Sequence, residues 1–180
     1  MQTITLVTGN QHKLQEFRRL WTDAIKLEVV DIDLPEIQSF DSREIVADKV
    51  KRAYAQVAAP VIVEDVAAGL DALNGLPGPF IKFFEQRLGR DALFQLSGED
   101  KAATVTCTIG YYDGADILFG TGVIHGSVVP QATEEGFGFD ACFVPEGQKL
   151  TFGEMGPDAK DAISHRFLAV QDLLAQLKQL

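Results

Sequence analysis

The sequence predicts an α/β fold, because strand-like and helix-like segments alternate early in the chain and paired strands follow. A short apolar strand at residues 4–7 leads directly into a helix, and a second apolar run covers residues 27–32. Two later extended runs are joined by Asp113-Gly114, a dipeptide favoured in tight hairpin turns. With 180 residues, of which 46% are hydrophobic, the chain fits a single domain over residues 1–180.

The turn after the first strand contains Thr8, Gly9 and Asn10, with Lys13 one helical turn later. Backbone N–H groups at a helix start and the helix dipole favour an anion, and the lysine adds a full positive charge. These residues predict a site that holds phosphate. They equally allow a simple helix start, in which Thr8 or Asn10 is the cap and Lys13 and Glu16 lie on the solvated face.

A second helix is predicted from Ser42 to Val57, because its apolar residues recur with a helical period. Ser42 is the predicted cap of this helix, and Glu44 lies in its first turn. Pro60 ends it.

Acidic side chains on two separate elements are candidate metal ligands. Residues 61–63 form a short buried-type strand that runs into Glu64 and Asp65, where charge is costly unless it is paired or coordinated. Mg²⁺ prefers carboxylate oxygens and keeps waters for a phosphate partner, so these acids and Glu44 fit a metal that bridges protein and phosphate. The alternative for Glu44 is a solvated acid near a helix N-terminus.

The middle of the chain contains a helix and a strand pair. The sequence Leu-Pro-Gly-Pro at 76–79 precedes a short predicted helix over residues 80–88, which carries Lys82. The extended runs at 104–112 and 117–129 are predicted to pair as the antiparallel part of the sheet.

Residues 136–147 alternate aromatics, glycines and one acid, and fit neither a helix nor a regular strand. We interpret this stretch as a binding loop. Its Phe137 and Phe139 suit a hydrophobic core, which is the commoner use, and also suit a face on which a planar base stacks.

A final helix is predicted from Asp158 to the end of the chain, with Lys160 and Ser164 sharing a face away from its apolar stripe. His165 suits a general acid or base, although such a residue more often only forms hydrogen bonds. Read alone, Lys82, Lys160 and Arg166 are each expected to be surface charges.

Composition excludes several classes of protein. The formal charge of −10 disfavours nonspecific binding to nucleic acid or an anionic membrane. Cys107 and Cys142 belong to no Cys-x-x-Cys pair and are expected to be buried free thiols. Because no long apolar span or secretory signal is visible, we expect a cytoplasmic protein.

Taken together and in order, the motifs resemble those of the inosine triphosphate pyrophosphatase family, the house-cleaning enzymes that hydrolyse deaminated purine nucleoside triphosphates. The matching motifs are Thr-Gly-Asn-x-x-Lys at 8–13, Val-Glu-Asp at 63–65, Gly-Leu-Pro-Gly-Pro at 75–79, Ile-Lys at 81–82, Phe-Gly-Phe-Asp at 137–140, Phe-Gly-Glu-Met at 152–155, and Lys160 with Ser-His-Arg at 164–166.

This resemblance implies an α/β fold with a long, twisted, mixed sheet flanked by helices, and two lobes with a nucleotide cleft between them, in a homodimer. It implies that ITP, dITP and XTP are hydrolysed to the monophosphate and pyrophosphate, with water attacking the α-phosphorus. Mg²⁺ is the implied cofactor, with Mn²⁺ as a substitute.

The resemblance also implies a role for each matching residue. Asp65, Lys13 and Glu64 would be catalytic, with Asp65 activating the water, and Glu44 and Asp65 would bind the metal. Arg166 would donate to the 6-keto oxygen of the base. The implied substrate-binding residues are Thr8, Gly9, Asn10, Lys13, Lys82, Phe137, Gly138, Phe139, Asp140, Lys160, Ser164, His165 and Arg166.

Two other functions fit the same residues. One is a nucleotide-binding regulatory module without turnover, and the other is a related pyrophosphatase that prefers other modified nucleotides. The acids and lysines of the motifs favour an enzyme, because a pure binding protein has less need of a water-positioning acid.

Overall fold

The computed structural model describes residues 2–179 and contains, within them, seven strands and six α-helices. The strands are β1 Thr3–Val7, β2 Lys26–Val30, β3 Val61–Leu70, β4 Pro77–Gly78, β5 Ala102–Tyr112, β6 Ile117–Val128 and β7 Phe143–Pro145. The helices are α1 Gln11–Leu20, α2 Ser42–Val57, α3 Ile81–Leu88, α4 Ala92–Leu96, α5 Gly156–Asp161 and α6 His165–Leu177.

The strands form one mixed sheet in the order β2-β1-β3-β5-β6-β7, with β4 paired to β3. Strand β1 is parallel to both β2 and β3, whereas β4 is antiparallel to β3 and β7 is antiparallel to β6. Strands β5 and β6 are neighbours across the Asp113-Gly114 turn, as the dipeptide predicts. The predicted α/β class with a mixed sheet is confirmed.

The chain divides into two compact units. The first comprises the chain up to Asp65, Cys107–Gly122 and the chain from Arg166 onward, and the second comprises Val66–Thr106 and Val123–His165. Each has its own apolar core. Buried residues of the first core are Val7, Leu34, Val46, Val50, Ala53, Val61 and Val63. Those of the second include Leu70, Ile81, Leu93, Val105, Phe139, Phe143 and Phe152.

Strand β3 is longer than the apolar run at 61–63 predicts. Glu64 and Asp65 are therefore interior strand residues, and the prediction that they follow the end of a strand is wrong. The strand continues past these acids, and its backbone pairs with β4, with Ala68 opposite Gly78.

The predicted cap of α2 is also wrong by one residue. Asp41 caps the helix, with its side chain accepting a hydrogen bond of 2.8 Å from the N–H of Arg43. Ser42 is the first helical residue, so its hydroxyl is available for another partner.

Two segments in the last third differ from their predictions. Residues 136–147 are not one irregular loop, because they contain a 3₁₀ turn at Gly138–Ala141 and the short strand β7. The final helix is two helices, so Lys160 lies on α5, while Ser164 immediately precedes α6. The prediction that these two side chains share one helix face is wrong.

Both cysteines are buried free thiols, as predicted. Among residues 2–179, no helix is long and apolar enough to cross a membrane.

We predict that Gly69→Ala destabilises the second unit strongly. A Cβ at Gly69 would lie 1.8 Å from the carbonyl oxygen of Gly75, so the backbone must shift. The free energy of unfolding should fall by about 2 kcal/mol or more, measured by urea denaturation. Gly98→Ala is the matched control, because a Cβ there meets nothing within 4 Å. Equal stability of the two variants would contradict this account of Gly69.

Candidate functional site

The centre of the candidate site is a network of four charged side chains in the first unit, of which Glu16, Glu64 and Arg166 are buried and Lys13 is half-buried. Lys13 Nζ lies 3.0 Å from Glu64 Oε1. Arg166 donates from Nε to Glu64 Oε2 and from Nη2 to Oε1, each at 2.8 Å, and donates from Nη1 to Glu16. Two positive and two negative groups thus sum to zero, which makes their joint burial tolerable.

These contacts keep the network charged. Burial alone would raise the pKa of Glu64, but Arg166 and then Lys13 outweigh it and hold that pKa far below its usual range. Burial lowers the pKa of Lys13, yet the attraction of Glu64 outweighs burial and raises it above its usual value. Burial and Glu64 raise the pKa of the nearby Cys107 thiol, which is consequently not a nucleophile.

The neighbouring acid, Asp65, has a different environment. Successive strand residues point to opposite faces of a sheet, and Asp65 Oδ2 accepts a hydrogen bond of 2.7 Å from the hydroxyl of Ser42. Asp65 is 7% exposed, and burial raises the pKa of its carboxyl group, against the opposing effects of the Ser42 hydrogen bond and the charges of Lys13 and Lys49. Two adjacent carboxyl groups therefore differ in basicity, with Asp65 the better proton acceptor.

Glu44 lies exposed in the first turn of α2. Its Oε2 accepts a hydrogen bond of 2.7 Å from the Ser39 hydroxyl, which also accepts from the N–H of Asp41 at 3.0 Å. Within residues 2–179, no group of three or more His, Cys, Asp or Glu side chains forms a metal cluster. Glu44 and Asp65 each offer carboxylate oxygens, the ligand type that Mg²⁺ prefers, and their joint binding of a metal remains a prediction from the sequence.

The turn before α1 is ordered by its own side chains. Asn10 is the N-cap, and its Oδ1 accepts from the N–H groups of His12 at 3.0 Å and Lys13 at 3.1 Å. Thr8 Oγ1 accepts from the N–H of Asn10 at 3.1 Å, and Gly9 is exposed. Asn10 is thus confirmed as a cap. The side chain of Lys13 lies on the inner face of α1 against Glu64, not on a solvated face.

A second charged pair lies in the second unit and binds within residues 134–140, which contain Phe137 and Phe139 and which we call the aromatic loop. Lys160 Nζ lies 2.6 Å from Asp140 Oδ2, and both side chains are buried. The same Asp140 oxygen accepts from the N–H of Phe137 at 3.0 Å. The lysine also lies 4.8 Å from the ring centroid of Phe137 and 5.5 Å from that of Phe152, as a cation–π contact.

The two loop phenylalanines are not equivalent. Phe139 is 8% exposed and belongs to the core of the second unit. Phe137 is half-buried, as is Gly138. Of the two rings, Phe137 therefore has the greater surface available to a ligand.

The three side chains of the Ser-His-Arg motif at 164–166 lie in different environments. Ser164 and His165 are buried in the second unit, where the imidazole ring centroid lies 5.8 Å from that of Phe139 and 5.9 Å from that of Phe152. Arg166 belongs to the network around Glu64. A role for Arg166 at the edge of a base remains a prediction, as do the other substrate contacts.

Lys82 is exposed on α3. Of the predicted site residues, the contacts join Lys13 and Arg166 to Glu64, and join Lys160 and Phe137 to Asp140.

Three contributors were not predicted as site residues. Glu16 lies three residues after Lys13, a spacing that places both on one helix face and could have signalled its role. Ser42 was predicted only as a cap. Lys49, which donates to the carbonyl oxygen of Glu64 at 3.2 Å, has no sequence signal beyond its charge.

Comparison with known proteins gives consistent results. A model of the Ham1 family matches residues 4–176. A protein of Schizosaccharomyces pombe named inosine triphosphate pyrophosphatase is 40% identical over 177 residues, covering 96% of this chain and 94% of that protein.

Solved structures show the same fold. A HAM1 protein from Coxiella burnetii matches with a TM-score of 0.82 at 27% identity, over 100% of both chains. A Mycobacterium abscessus protein named nucleoside-triphosphatase / dITP/XTP pyrophosphatase matches with a TM-score of 0.70 at 26% identity, over 96% of this chain and 98% of that one.

We predict that Arg166→Met destabilises the protein severely, because it leaves Glu64 and Glu16 buried without their shared cation. Breaking a buried charge network in this way costs about 3–5 kcal/mol, which urea denaturation would measure. Arg52→Met is the matched control, since Arg52 forms an exposed pair with Asp48 one helical turn away. That variant should be nearly as stable as the wild type. An Arg166→Met protein of wild-type stability would show that the network is not structural.

Proposed function

Because the chain belongs to the Ham1 family, we propose that it hydrolyses deaminated purine nucleoside triphosphates to the monophosphate and pyrophosphate. The observation that carries the proposal is the 40% sequence identity, over 96% of this chain, to a protein named inosine triphosphate pyrophosphatase. The name of the Mycobacterium abscessus protein supports dITP and XTP as further substrates beside ITP. Homodimer formation and a cytoplasmic location remain predictions from the sequence.

The triphosphate would be held by Thr8, Gly9, Asn10 and Lys13. This assignment is supported by their position at the start of α1, where the helix dipole favours an anion. The ammonium group of Lys13 has three donors, and its side chain is 21% exposed while it contacts Glu64. Lys82 would add a further positive charge.

Glu44 and Asp65 would bind Mg²⁺, or Mn²⁺ in its place, since both offer carboxylate oxygens. When bound, the metal would neutralise part of the charge on the phosphate oxygens. The two acids come from separate elements, α2 and β3, and the Ser42 hydroxyl orients one of them.

Asp65 would accept a proton from the water that attacks the α-phosphorus, while Lys13 stabilises charge on the departing pyrophosphate. The bond to Ser42 fixes the orientation of this carboxyl group. Glu64 suits a different task, because Arg166 occupies both of its oxygens. Glu64 would hold Lys13 in place and not act as a base.

The base would be bound by residues of the aromatic loop, with Phe137 offering a face for stacking. Gly138, Phe139 and Asp140 shape this loop, and Lys160 braces it through Asp140. The further contacts implied by the family resemblance are those of Ser164, His165 and Arg166.

A nucleotide panel tests the proposed activity. Purified protein with Mg²⁺ should release pyrophosphate from ITP, dITP and XTP, and much less from ATP and GTP. For ATP the physical reason is that a buried donor suited to a 6-keto group is left unpaired by the 6-amino group of adenine. Guanine carries the same 6-keto group, so the discrimination against GTP must depend on the 2-position of the base. Chelation with EDTA should abolish the release, and added Mg²⁺ should restore it.

The panel also separates the alternatives. Binding of ITP without pyrophosphate release in the presence of Mg²⁺ would indicate a regulatory binding module. Faster turnover of another modified nucleotide than of ITP or XTP would indicate a pyrophosphatase of different specificity.

We predict that Asp65→Asn reduces kcat for ITP by about 10²–10⁴-fold, because the amide cannot accept the proton of the attacking water. Nucleotide binding, measured by calorimetry, should persist. Asp116→Asn removes the same charge from an exposed turn and should leave kcat unchanged. Full activity of the Asp65→Asn variant would remove this residue from the mechanism.

A further inference from the structure

One arginine, Arg90, binds three backbone carbonyl oxygens of the aromatic loop. Arg90 donates from Nη1 to the carbonyl oxygen of Glu134 at 2.7 Å, from Nη2 to that of Glu135 at 2.6 Å, and from Nε to that of Gly138 at 3.3 Å. All of these residues belong to the second unit. The guanidinium group therefore spans a backbone segment of five residues, 134–138.

The segment that Arg90 spans has an unusual backbone. Gly136 and Gly138 have φ values of +72° and +54°, which side chains rarely adopt. A Cβ on Gly138 would lie 2.9 Å from Glu85 Oε1. Two glycines with this freedom give the loop many alternative conformations in isolation, so external contacts must select the observed one.

Those contacts come from two directions. Asp140 binds the N–H of Phe137, and Arg90 binds carbonyl oxygens on either side of that residue. Arg90 is itself held, because its carbonyl oxygen accepts from the Cys142 thiol at 3.4 Å. Phe137 therefore sits between an acceptor that fixes its N–H and a donor group that fixes its flanking carbonyls.

We propose that Arg90 is a positioning residue for base selection: it fixes the loop that presents Phe137, without touching the nucleotide itself. The inference rests on the proposed function, and adds to it a residue outside every matched motif. The planar guanidinium is required because its donors diverge in a fixed fork, whereas a lysine ammonium is a compact point charge.

The consequence should be a change in KM rather than in kcat. Without Arg90 the loop would populate its binding-competent conformation for only a fraction of the time, and apparent affinity falls by that fraction. Asp65 is oriented by Ser42 and Lys13 by Glu64, so turnover of bound substrate should persist. Triphosphate contacts are common to all nucleotides, so the loss should fall on the preferred bases.

The test compares Arg90→Lys and Arg90→Met with the wild type, using ITP and GTP. Both variants should raise KM for ITP about tenfold, which corresponds to a tenfold loss of competent population, and should change kcat less than about twofold. The ITP preference over GTP should fall accordingly. Arg87→Met is the control, because it removes the same charge from an exposed site on α3 and should alter neither constant.

Two further measurements separate positioning from general damage. Hydrogen exchange at the amides of residues 134–138 should accelerate in both Arg90 variants, while exchange in β3 should not. Millimolar ethylguanidinium should lower KM in an Arg90→Ala variant and should have no such effect in Arg87→Ala.

Unchanged KM and unchanged ITP preference in Arg90→Met would overturn the inference. The proposed function would still stand in that case, provided that the wild-type protein hydrolyses ITP. A wild-type KM for ITP and a wild-type preference for ITP in the Arg90→Lys variant would also overturn the inference. The positive charge alone, without the forked guanidinium geometry, would then suffice. If the wild type failed to hydrolyse ITP or XTP, the proposed function would fail first, and the role in base selection with it.

Discussion

The buried bonds between Arg166 and Glu64 are the contacts on which the first unit depends. They join strand β3 to the start of helix α6, and the bonds of Lys13 and Glu16 add helix α1 to the same point. An isolated buried charge is strongly unfavourable, so each member requires the others to be present. Three segments that are far apart in sequence are thus fixed at one place by charge compensation.

This constraint also determines what Asp65 can do. With Glu64 held by Arg166 on one face of β3, strand geometry directs the next side chain to the other face, where Ser42 meets it. Opposite charges hold the pKa of Glu64 down, while burial raises the pKa of Asp65. Adjacent carboxyl groups acquire different chemistry because different partners surround them.

Sequence patterns correctly predicted those parts of the structure that depend on interactions between residues close together in the chain. The strand at β1, the Asn10 cap and the helical period of α2 are set by neighbouring residues, and sequence patterns found them. The pairing of Glu64 with Arg166 joins residues 102 positions apart, and no spacing rule reaches that far. The same dependence on distant residues explains why the length of β3 was predicted wrongly. Two adjacent acids indicate the end of a strand unless the distant cations that pair with them are known.

The charge balance of the network bears on how a polyanion could bind to a chain of formal charge −10. Lys13 and Arg166 are already compensated by Glu64 and Glu16, so this cluster offers a phosphate no excess positive charge. The adjacent acid Asp65 would repel a triphosphate, because like charges in a partly buried site interact strongly. In the proposed function, a divalent cation that enters with the nucleotide would reverse this sign. Because Arg166 binds both oxygens of Glu64, Lys13 would be able to share its donors with a phosphate without leaving Glu64 unsatisfied.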